Sequence, residues 1–290
     1  MQIIQLVLNG LALGTAYALI ALGFVLVLNA TRAVNFAQGD LVVTGGFIGA
    51  TLATHIPLPG YALLPVVMLA MAGIGLCVNV LAYWPIRSKP PVAVFTTTIA
   101  VGIILQNGLN GIFGPEPRSA PPLFAGPVLD IYGLAISRQS LAIIAAAVLL
   151  IAGQLYLTKY TQLGRAMRAT AQDRDMAAAI GIPVARMIAF TFAVSAALGG
   201  AAGLLLTNQF FVTPTDGTNL IIKAYIAVVI GGWGRIGGAL AGAMLIALFE
   251  TIISAWMDYS IATGLLYLVV LAILFVRPNG LFGEVEGRRA

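Results

Sequence analysis

Residues 3–28 read I-I-Q-L-V-L-N-G-L-A-L-G-T-A-Y-A-L-I-A-L-G-F-V-L-V-L and carry no charged side chain. The first Asp, Glu, Lys or Arg of the chain is Arg32. A helix needs roughly 20 predominantly apolar residues to cross the hydrocarbon core of a bilayer. Further runs without these four residue types follow at 41–86, 90–115 and 139–158. The chain is therefore predicted to cross a membrane many times.

The composition supports the same class of fold. Hydrophobic residues make up 60% of the 290-residue chain and charged residues only 9%. We predict an all-α, polytopic membrane helical bundle of about eight or nine membrane segments, in one domain that covers 1–290. The predicted spans are 3–28, 41–56, 61–86, 92–113, 139–157, 188–210, 236–257 and 260–276. A shorter apolar piece at 221–232 is either a re-entrant or broken helix, or a ninth, tilted crossing.

The positions of the basic residues predict the topology. The net charge is +5, but the basic residues lie in short connections and form no patch interleaved with aromatic residues, which argues against nucleic acid as a partner. Cytoplasmic loops of membrane proteins carry an excess of Lys and Arg. We therefore place Arg87 with Lys89, the loop 158–187 and the C-terminus on the cytoplasmic side of a plasma membrane.

Small residues recur four positions apart in the predicted spans. The pairs are Gly10/Gly14, Gly45/Gly49, Gly199/Gly203, Gly234/Gly238 and Gly238/Gly242. This spacing lets helix backbones approach closely. It is typical both of fixed packing within a bundle and of helices that slide in a gate. The one cysteine, Cys77, lies in an apolar run and is expected to be a small buried hydrophobe.

Polar side chains within the spans are candidates for a translocation pathway. Amides and hydroxyls without fixed charge suit the passage of a small neutral or zwitterionic solute, although each could instead bond a neighbouring helix. Glu250 lies deep in its span and is expected to face the bundle, to be protonated or to be paired, because an unpaired charge there is costly. The candidate pathway residues are Asn35, Gln38, Asp40, Thr97, Gln106, Asn107 and Glu250.

The loop 158–187 contains a short predicted helix. Asp173 or Asp175 can cap its start by accepting from free backbone N–H groups, and Gly181 followed by Pro183 is typical of a helix end. Ala177, Ala178 and Ala179 would leave room for the side chains of another protein. An ordinary basic cytoplasmic loop is the alternative.

The familiar chemical motifs are either missing or out of context. Residues 232–237 read G-W-G-R-I-G, but the dinucleotide fingerprint requires a preceding strand within a βαβ unit, and these flanks are apolar helices. The chain has no phosphate-binding G-x-x-x-x-G-K-[ST] motif and no metal-binding pattern of His or Cys. We therefore predict a transport subunit without cofactor or metal and not an enzyme; loss of activity in a His55→Ala variant would point to an intramembrane hydrolase instead.

Five segments, in order along nearly the whole chain, resemble the permease subunits of branched-chain amino-acid ABC importers, on the LivH side of the LivH/LivM family. N-F-A-Q-G-D (35–40) resembles a family element that often has histidine at the position of Gln38. I-L-Q-N (104–107) is similar to the fourth-span pattern, and L-G-R-A-M-R-A (163–169) with Asp173, Ala178 and Gly181 to the cytoplasmic coupling loop. The last two are K-A-Y-I-A-V-V-I-G-G-W-G-R-I-G-G-A (223–239) and R-P-N-G-L-F-G (277–283).

The resemblance implies an ABC importer permease fold in the bacterial inner membrane. It implies three kinds of partner: a second permease subunit (LivM-like or this chain itself), two cytoplasmic ATPase subunits that bind the ATP, and a soluble extracytoplasmic substrate-binding protein. It also implies that 158–187 docks on an ATPase. The residues expected to serve this coupling are Arg165, Arg168, Asp173, Ala177, Ala178 and Gly181.

The expected solutes are branched-chain or related amino acids, and the expected mechanism is alternating access driven by the partner ATPases. Relatives that carry urea or short amides leave a second class of solute open. A secondary transporter or channel that works without an ATPase is the rival from a different class.

Overall fold

The structure is a computed structural model that describes residues 2–56, 58–124, 126, 129–131 and 134–282. Almost every described element is helical, and one short antiparallel hairpin pairs Leu129 with Ile136. The elements are α1 (Gln2–Thr31), α2 (Gln38–His55), α3 (Gly60–Val78), α4 (Pro91–Phe113), β1 (Leu129–Ile131), β2 (Leu134–Ile136), α5 (Arg138–Tyr160), α6 (Gln162–Gln172), α7 (Arg174–Ala179), α8 (Val184–Thr207), α9 (Gly217–Gly231), α10 (Ile236–Ser254) and α11 (Tyr259–Val276).

The prediction of an all-α membrane bundle is confirmed. Seven helices of the described chain are long and apolar enough to span a bilayer: α1, α3, α4, α5, α8, α10 and α11. α3 reaches the required length through a π-helical turn and a 3-10 turn that continue it to Ile86. α2 and the 15-residue α9 supply two further segments. Arg288 and Arg289, the basic residues at the end of the C-terminal segment that is predicted to be cytoplasmic, lie outside the described residues.

Two helices form the centre of the bundle. α1 and α8 are almost wholly enclosed, and α1 packs against α5, α8, α9 and α10. Most of the surface of α4, α5 and α11 is exposed. Because these outer faces are apolar, they suit contact with lipid or with another membrane protein. Cys77 lies on this outer surface of α3, so the expectation that it is buried is wrong.

Glycines allow the inner helices to touch. A Cβ built at Gly45 would collide with Gly200, and one at Gly203 would collide with the carbonyl of Val42, so α2 and α8 meet backbone to backbone. Gly10 and Gly14 let α1 pack closely on α10, where built Cβ atoms would meet the side chains of Leu248 and Met244 first. In lipid, where apolar surfaces gain little by leaving the solvent, such close approach stabilises helix pairs through van der Waals contact. The structure therefore places these glycine pairs at helix contacts.

The two ends of the bundle differ in charge, and two helices begin halfway between them. We call the end that carries α6 and α7 the basic end, and the other the opposite end. Gln38, the first residue of α2, hydrogen-bonds Ser195 in the middle of α8, so α2 begins halfway along the bundle. Gly217, the first residue of α9, lies against Gly39, so α9 begins at the same depth. Both segments are thus broken helices, tolerated because their starts are buried in protein.

Candidate functional site

The starts of α2 and α9 meet around the carboxylate of Asp40. A Cβ at either Gly102 on α4 or Gly217 on α9 would collide with this carboxylate, so both glycines make room for it. The N-terminus of a helix carries a partial positive charge, which favours an anion beside it. Asp40 lies in the first turn of α2 and against the start of α9. Discontinuous helices that meet near the bilayer midplane are typical of solute sites in transporters.

Gln38 joins three helices beside this junction. Its Nε2 donates to the carbonyl of Ser195 at 3.3 Å, and its Oε1 accepts from the Ser195 hydroxyl at 3.0 Å. The same hydroxyl lies 2.8 Å from the carbonyl oxygen of Gly23 on α1. Gln38 is fully buried, and these bonds hold the start of α2 against α8 in this structure. Asn35 is buried too, with Oδ1 accepting from Ala37, while its Nδ2 has no hydrogen-bond partner among the described residues.

Glu250 is part of a buried ion pair. Its Oε1 lies 2.6 Å from the Nζ of Lys223 on α9, and both side chains are about 5% exposed. Nζ also donates to the hydroxyls of Tyr17 and Tyr259, each at 2.9 Å. Of the three states expected for Glu250, the structure shows pairing. Lys223 was not predicted as the partner of Glu250. A usable signal was present, because the apolar segment 221–232 contains one basic residue and the span 236–257 contains one acidic residue.

This ion pair lies at the wall of a cavity of about 600 Å³ that is formed at the opposite end. Side chains from α1, α9, α10 and the chain after α8 enclose it. Its other walls are largely apolar, with Leu13, Leu206, Phe210 and Leu220 among the lining residues. Pockets of this size and mixed character are typical of small-molecule sites.

A second cavity of about 810 Å³ lies at the basic end, between the end of α1, the start of α4, the end of α6 and the α9–α10 connection. Phe95 and Trp233 line it. An aromatic cluster, defined here as Phe36, Phe95, Tyr225 and Trp233, lies at the inner side of this cavity. Phe36 contacts Phe95 edge to face at 4.7 Å between ring centroids, and Tyr225 contacts Trp233 at 5.8 Å. Phe36 lies in the segment that leads into α2, and Tyr225 lies on α9, so the cluster connects the wall of this cavity to the two helices that meet at Asp40.

The three pathway candidates on α4 do not form one group. Thr97 is half-buried and donates to Ala93 within its own helix, close to Thr98, whose hydroxyl accepts from the Phe36 N–H. Gln106 is half-buried. Asn107 is exposed on the outer surface and donates to Ile103 of its own helix. Of these three, Thr97 lies nearest to the aromatic cluster, because the adjacent Thr98 bonds Phe36 directly.

The short helix predicted in the basic loop is α7. Asp173 caps it as expected, with Oδ1 accepting from the N–H groups of Asp175 and Met176 at 2.9 and 3.0 Å. Gly181 follows its end at φ +84°, in the left-handed region. Ala177 is buried against the chain itself, while Ala178 is exposed. Two large apolar side chains flank the alanines and are exposed to solvent. Met176 is 66% exposed and Ile180 is 75% exposed.

A longer amphipathic helix, α6, precedes α7 and was not predicted. Thr161 caps it, and Gly164, Met167 and Thr170 form its buried face. Arg165 and Arg168 are exposed on its other side, with Arg168 donating to the carbonyl of Thr158. The two arginines therefore lie on a solvent-facing surface that is continuous along the chain with α7.

Two arginine contacts tie the α6–α7 corner to the end of α1. Arg174 donates from Nε and Nη2 to the carbonyl of Ala30, and Arg32 donates from Nη2 to the carbonyl of Gln172 at 2.8 Å. Arg32 is the one described non-glycine residue with a positive φ, at 55°. Arg32 and Gln172 also line the cavity at the basic end. Sequence reasoning counted Arg174 only as a basic residue and missed this link.

These features define a polytopic helical membrane protein with broken helices and an exposed capped helix at one end. The model of the family described as branched-chain amino acid transport system / permease component matches residues 6–276. The chain belongs to this family.

Relatives align over nearly the whole chain. The high-affinity branched-chain amino acid transport system permease protein LivH of Escherichia coli (strain K12) is 28% identical, over 98% of this chain and 96% of the relative. BraD of Pseudomonas aeruginosa, of the same description, is 31% identical over the same shares of both chains. A probable branched-chain amino acid transport permease protein LivH of Methanocaldococcus jannaschii is 30% identical over 91% of this chain and 88% of the relative.

Proposed function

We propose that this chain is the membrane permease subunit of an ATP-driven ABC importer for branched-chain or related amino acids. The observation that carries the proposal is the link between α7 and α1. A capped helix of six residues presents Met176 and Ile180 to solvent, and Arg174 at its start bonds the end of the most enclosed helix of the bundle. A partner protein that moves α7 would therefore also move the end of α1. This end lines the cavity of about 810 Å³ at the basic end, which we call the inner cavity.

The orientation follows from the charges. The basic end carries Arg87, Lys89 and the arginines of α6 and α7, so we place it in the cytoplasm, with the C-terminus. The cavity of about 600 Å³, which we call the outer cavity, then opens toward the outside of the cell, where a soluble binding protein would deliver the solute. The membrane is the bacterial inner membrane.

The partners follow from the exposed surfaces. Met176, Ala178 and Ile180 form the surface that we assign to a cytoplasmic ATPase, with Arg165 and Arg168 beside it. ATP would be bound and hydrolysed by two such partner subunits, and this chain would hold no cofactor. Ala177 would support α7 from below, because it is buried. The outer face of α4 holds Asn107, whose amide is costly against lipid, and we assign this face to the second permease subunit.

Transport would proceed by alternating access between the two cavities. We infer that the aromatic cluster and the junction at Asp40 form the barrier between them. ATP binding in the partners would move α7, and with it the end of α1, which together with Val34 and Trp233 lines the inner cavity. A nucleotide can shift such an equilibrium only by binding one state more tightly than the other.

Reconstitution tests the proposal. The chain would be inserted into proteoliposomes with a second permease subunit and two ATPase subunits of the same source, and uptake of labelled leucine would be measured with a binding protein present. Uptake should require ATP, and ADP should not support it. Steady leucine flux through vesicles that contain this chain alone would overturn the importer assignment in favour of a channel or secondary transporter. Uptake of urea or acetamide in preference to leucine would favour the second class of solute.

A further inference from the structure

Every hydrogen-bond donor of the Lys223 ammonium is used in the pair with Glu250 and its surroundings. The three donors bond Glu250 Oε1 at 2.6 Å and the hydroxyls of Tyr17 and Tyr259 at 2.9 Å. The second carboxylate oxygen, Oε2, accepts from the Tyr17 hydroxyl at 3.3 Å. The cluster therefore presents one positive and one negative group, both held by tyrosine hydroxyls, at the wall of a cavity.

Stability alone is a weak reason for such a pair. Removing two charges from water is costly, and well-packed apolar residues of similar volume often replace a buried ion pair without loss of stability. This pair also does not lie in the dry packing between helices, since Tyr17, Lys223, Glu250 and Tyr259 all line the outer cavity. A solute that enters the cavity meets both charges at once.

The rest of the cavity wall is mostly apolar by area, with polar side chains at Asn9, Gln209, Asp216, Asn219, Thr251 and Ser254. Leu6, Leu13, Leu206 and Leu220 come from three helices, and Phe210, Phe211 and Val212 come from the segment that follows α8. An occupant that fits these walls has two opposite charges at one end and an apolar group at the other. An α-amino acid with an aliphatic side chain has this arrangement, because its ammonium and carboxylate are separated by one carbon atom.

We propose that Lys223, Glu250, Tyr17 and Tyr259 form a site for a zwitterionic, aliphatic α-amino acid within the outer cavity. The solute carboxylate takes the place of Glu250 as the partner of Lys223, the solute ammonium takes the place of Lys223 as the partner of Glu250, and the side chain lies against the leucine walls. This assignment rests on the proposed function, and it adds to it the position in the chain at which the solute binds.

The closed pair also explains how the site rejects other solutes. Opening the pair exposes two buried charges, and only a solute that pairs both of them offsets that cost. A cation leaves Lys223 without a partner, an anion leaves Glu250 without one, and a neutral amide pairs neither charge fully. A site that leaves its own buried groups unpaired with the wrong solute discriminates strongly.

Protection of a cysteine within the cavity tests the site without altering the pair. Ser254 lines the cavity, and Ser254→Cys is nearly isosteric. In the assembled complex, with Cys77→Ala removing the native thiol, leucine at about ten times its half-saturating concentration should slow modification by an impermeant maleimide about tenfold. Leucinamide, which lacks the carboxylate, and 4-methylpentanoate, which lacks the ammonium, should leave the rate unchanged. Met257→Cys, on the exposed turn after α10, is the matched control and should be modified at one rate throughout.

Equal protection by leucine and leucinamide, or protection by neither, would overturn the assignment. A second arm uses the double variant Lys223→Met/Glu250→Met, which keeps side-chain volume and leaves no unpaired charge. It should assemble with its partners but lose leucine protection and at least about tenfold in leucine uptake. Full uptake by an assembled double variant would show that the pair is structural only. ATP-driven leucine uptake by the wild-type complex is a separate measurement, and its absence would count against the proposed function, not against binding at this site.

Discussion

The guanidinium group of Arg174 bonds the carbonyl oxygen of Ala30 twice, from Nε at 3.1 Å and from Nη2 at 2.6 Å. The two residues are 144 positions apart, at the start of α7 and near the end of α1. Charge-assisted bonds of this kind are stronger than neutral ones and hold a fixed geometry. In the proposed mechanism, this direct contact would transmit a displacement of α7 to α1.

Replacing Arg174 by Lys should weaken this contact while keeping the charge. A lysine cannot donate twice to one oxygen in the fixed fork of a guanidinium group. Because one charge-assisted bond is worth about 1.5–3 kcal/mol, leucine uptake per ATP hydrolysed should fall about tenfold. The measurement is the ratio of uptake to ATPase rate in proteoliposomes. Arg186→Lys, an exposed change at the start of α8, should leave the ratio unaltered, and an unaltered ratio for Arg174→Lys would show that the contact does not couple the two helices.

Replacing Gly181 tests the backbone conformation at the end of α7. A Cβ built there meets no described atom within 4 Å beyond its chain neighbours, so crowding plays no part. At φ +84° a β-branched residue is strained by roughly 1–2 kcal/mol, whereas Asn tolerates this region. Gly181→Val should therefore reduce co-purification of the ATPase, and Gly181→Asn should retain most of it. Equal retention by both variants would contradict a role for this turn in docking.

The exposed apolar side chains of α7 lead to a third prediction. Ile180 is 75% exposed, so Ile180→Glu should not disturb folding, but it places a charge in the surface assigned to the ATPase. Co-purification of the ATPase with the permease should be lost, since desolvating an unpaired carboxylate is costly. Ile180→Leu is the matched control and should behave like the wild type. Stable assembly of Ile180→Glu would move the docking surface elsewhere.

A fourth prediction compares two glycines in thermal unfolding experiments in detergent. Gly203→Ala would drive a methyl group into the Val42 carbonyl, and overpacking of this kind costs about 1–3 kcal/mol. Gly153 lies on α5 with no described atom within 4 Å of a built Cβ, so Gly153→Ala should stabilise by about 0.5–1 kcal/mol through helix propensity. The Tm of the first variant should fall and that of the second should rise or stay level. A Gly203→Ala protein as stable as the wild type would mean that α2 and α8 are not held in contact.

Local signals in the sequence were sufficient for much of this structure. The predicted spans match the helices within a few residues, because hydropathy and charge determine which segments can lie in lipid. The two ends of α7 were predicted from the sequence, with Asp173 as one of two candidate caps and Gly181 as the helix end, since capping depends on a few adjacent residues. The helix α6 was missed although its buried residues, from Gly164 to Thr170, recur every three positions.

Features that depend on depth and on contacts between distant segments were not predicted. Hydropathy gives the length of a segment but not where it starts, so the halfway starts of α2 and α9 emerged only from the contacts of Gln38 and Gly217. Composition alone does not show that the helices carrying Lys223 and Glu250 are neighbours, so the pairing of these two residues could not be predicted. The exposure of Cys77 was mispredicted for the same reason, because an apolar run does not show which face of the helix lies on the outside of the bundle.

In the proposed transport cycle, the halfway starts of α2 and α9 would shorten the insulating layer of the protein. Around Asp40 the two aqueous compartments would be separated only by the junction and by a few aromatic rings, not by the full thickness of the bilayer. Most of the membrane voltage would then drop over this thin partition. A dipolar solute would cross the steepest part of the field in a single short step, while its net charge of zero would leave the transport cycle nearly independent of voltage.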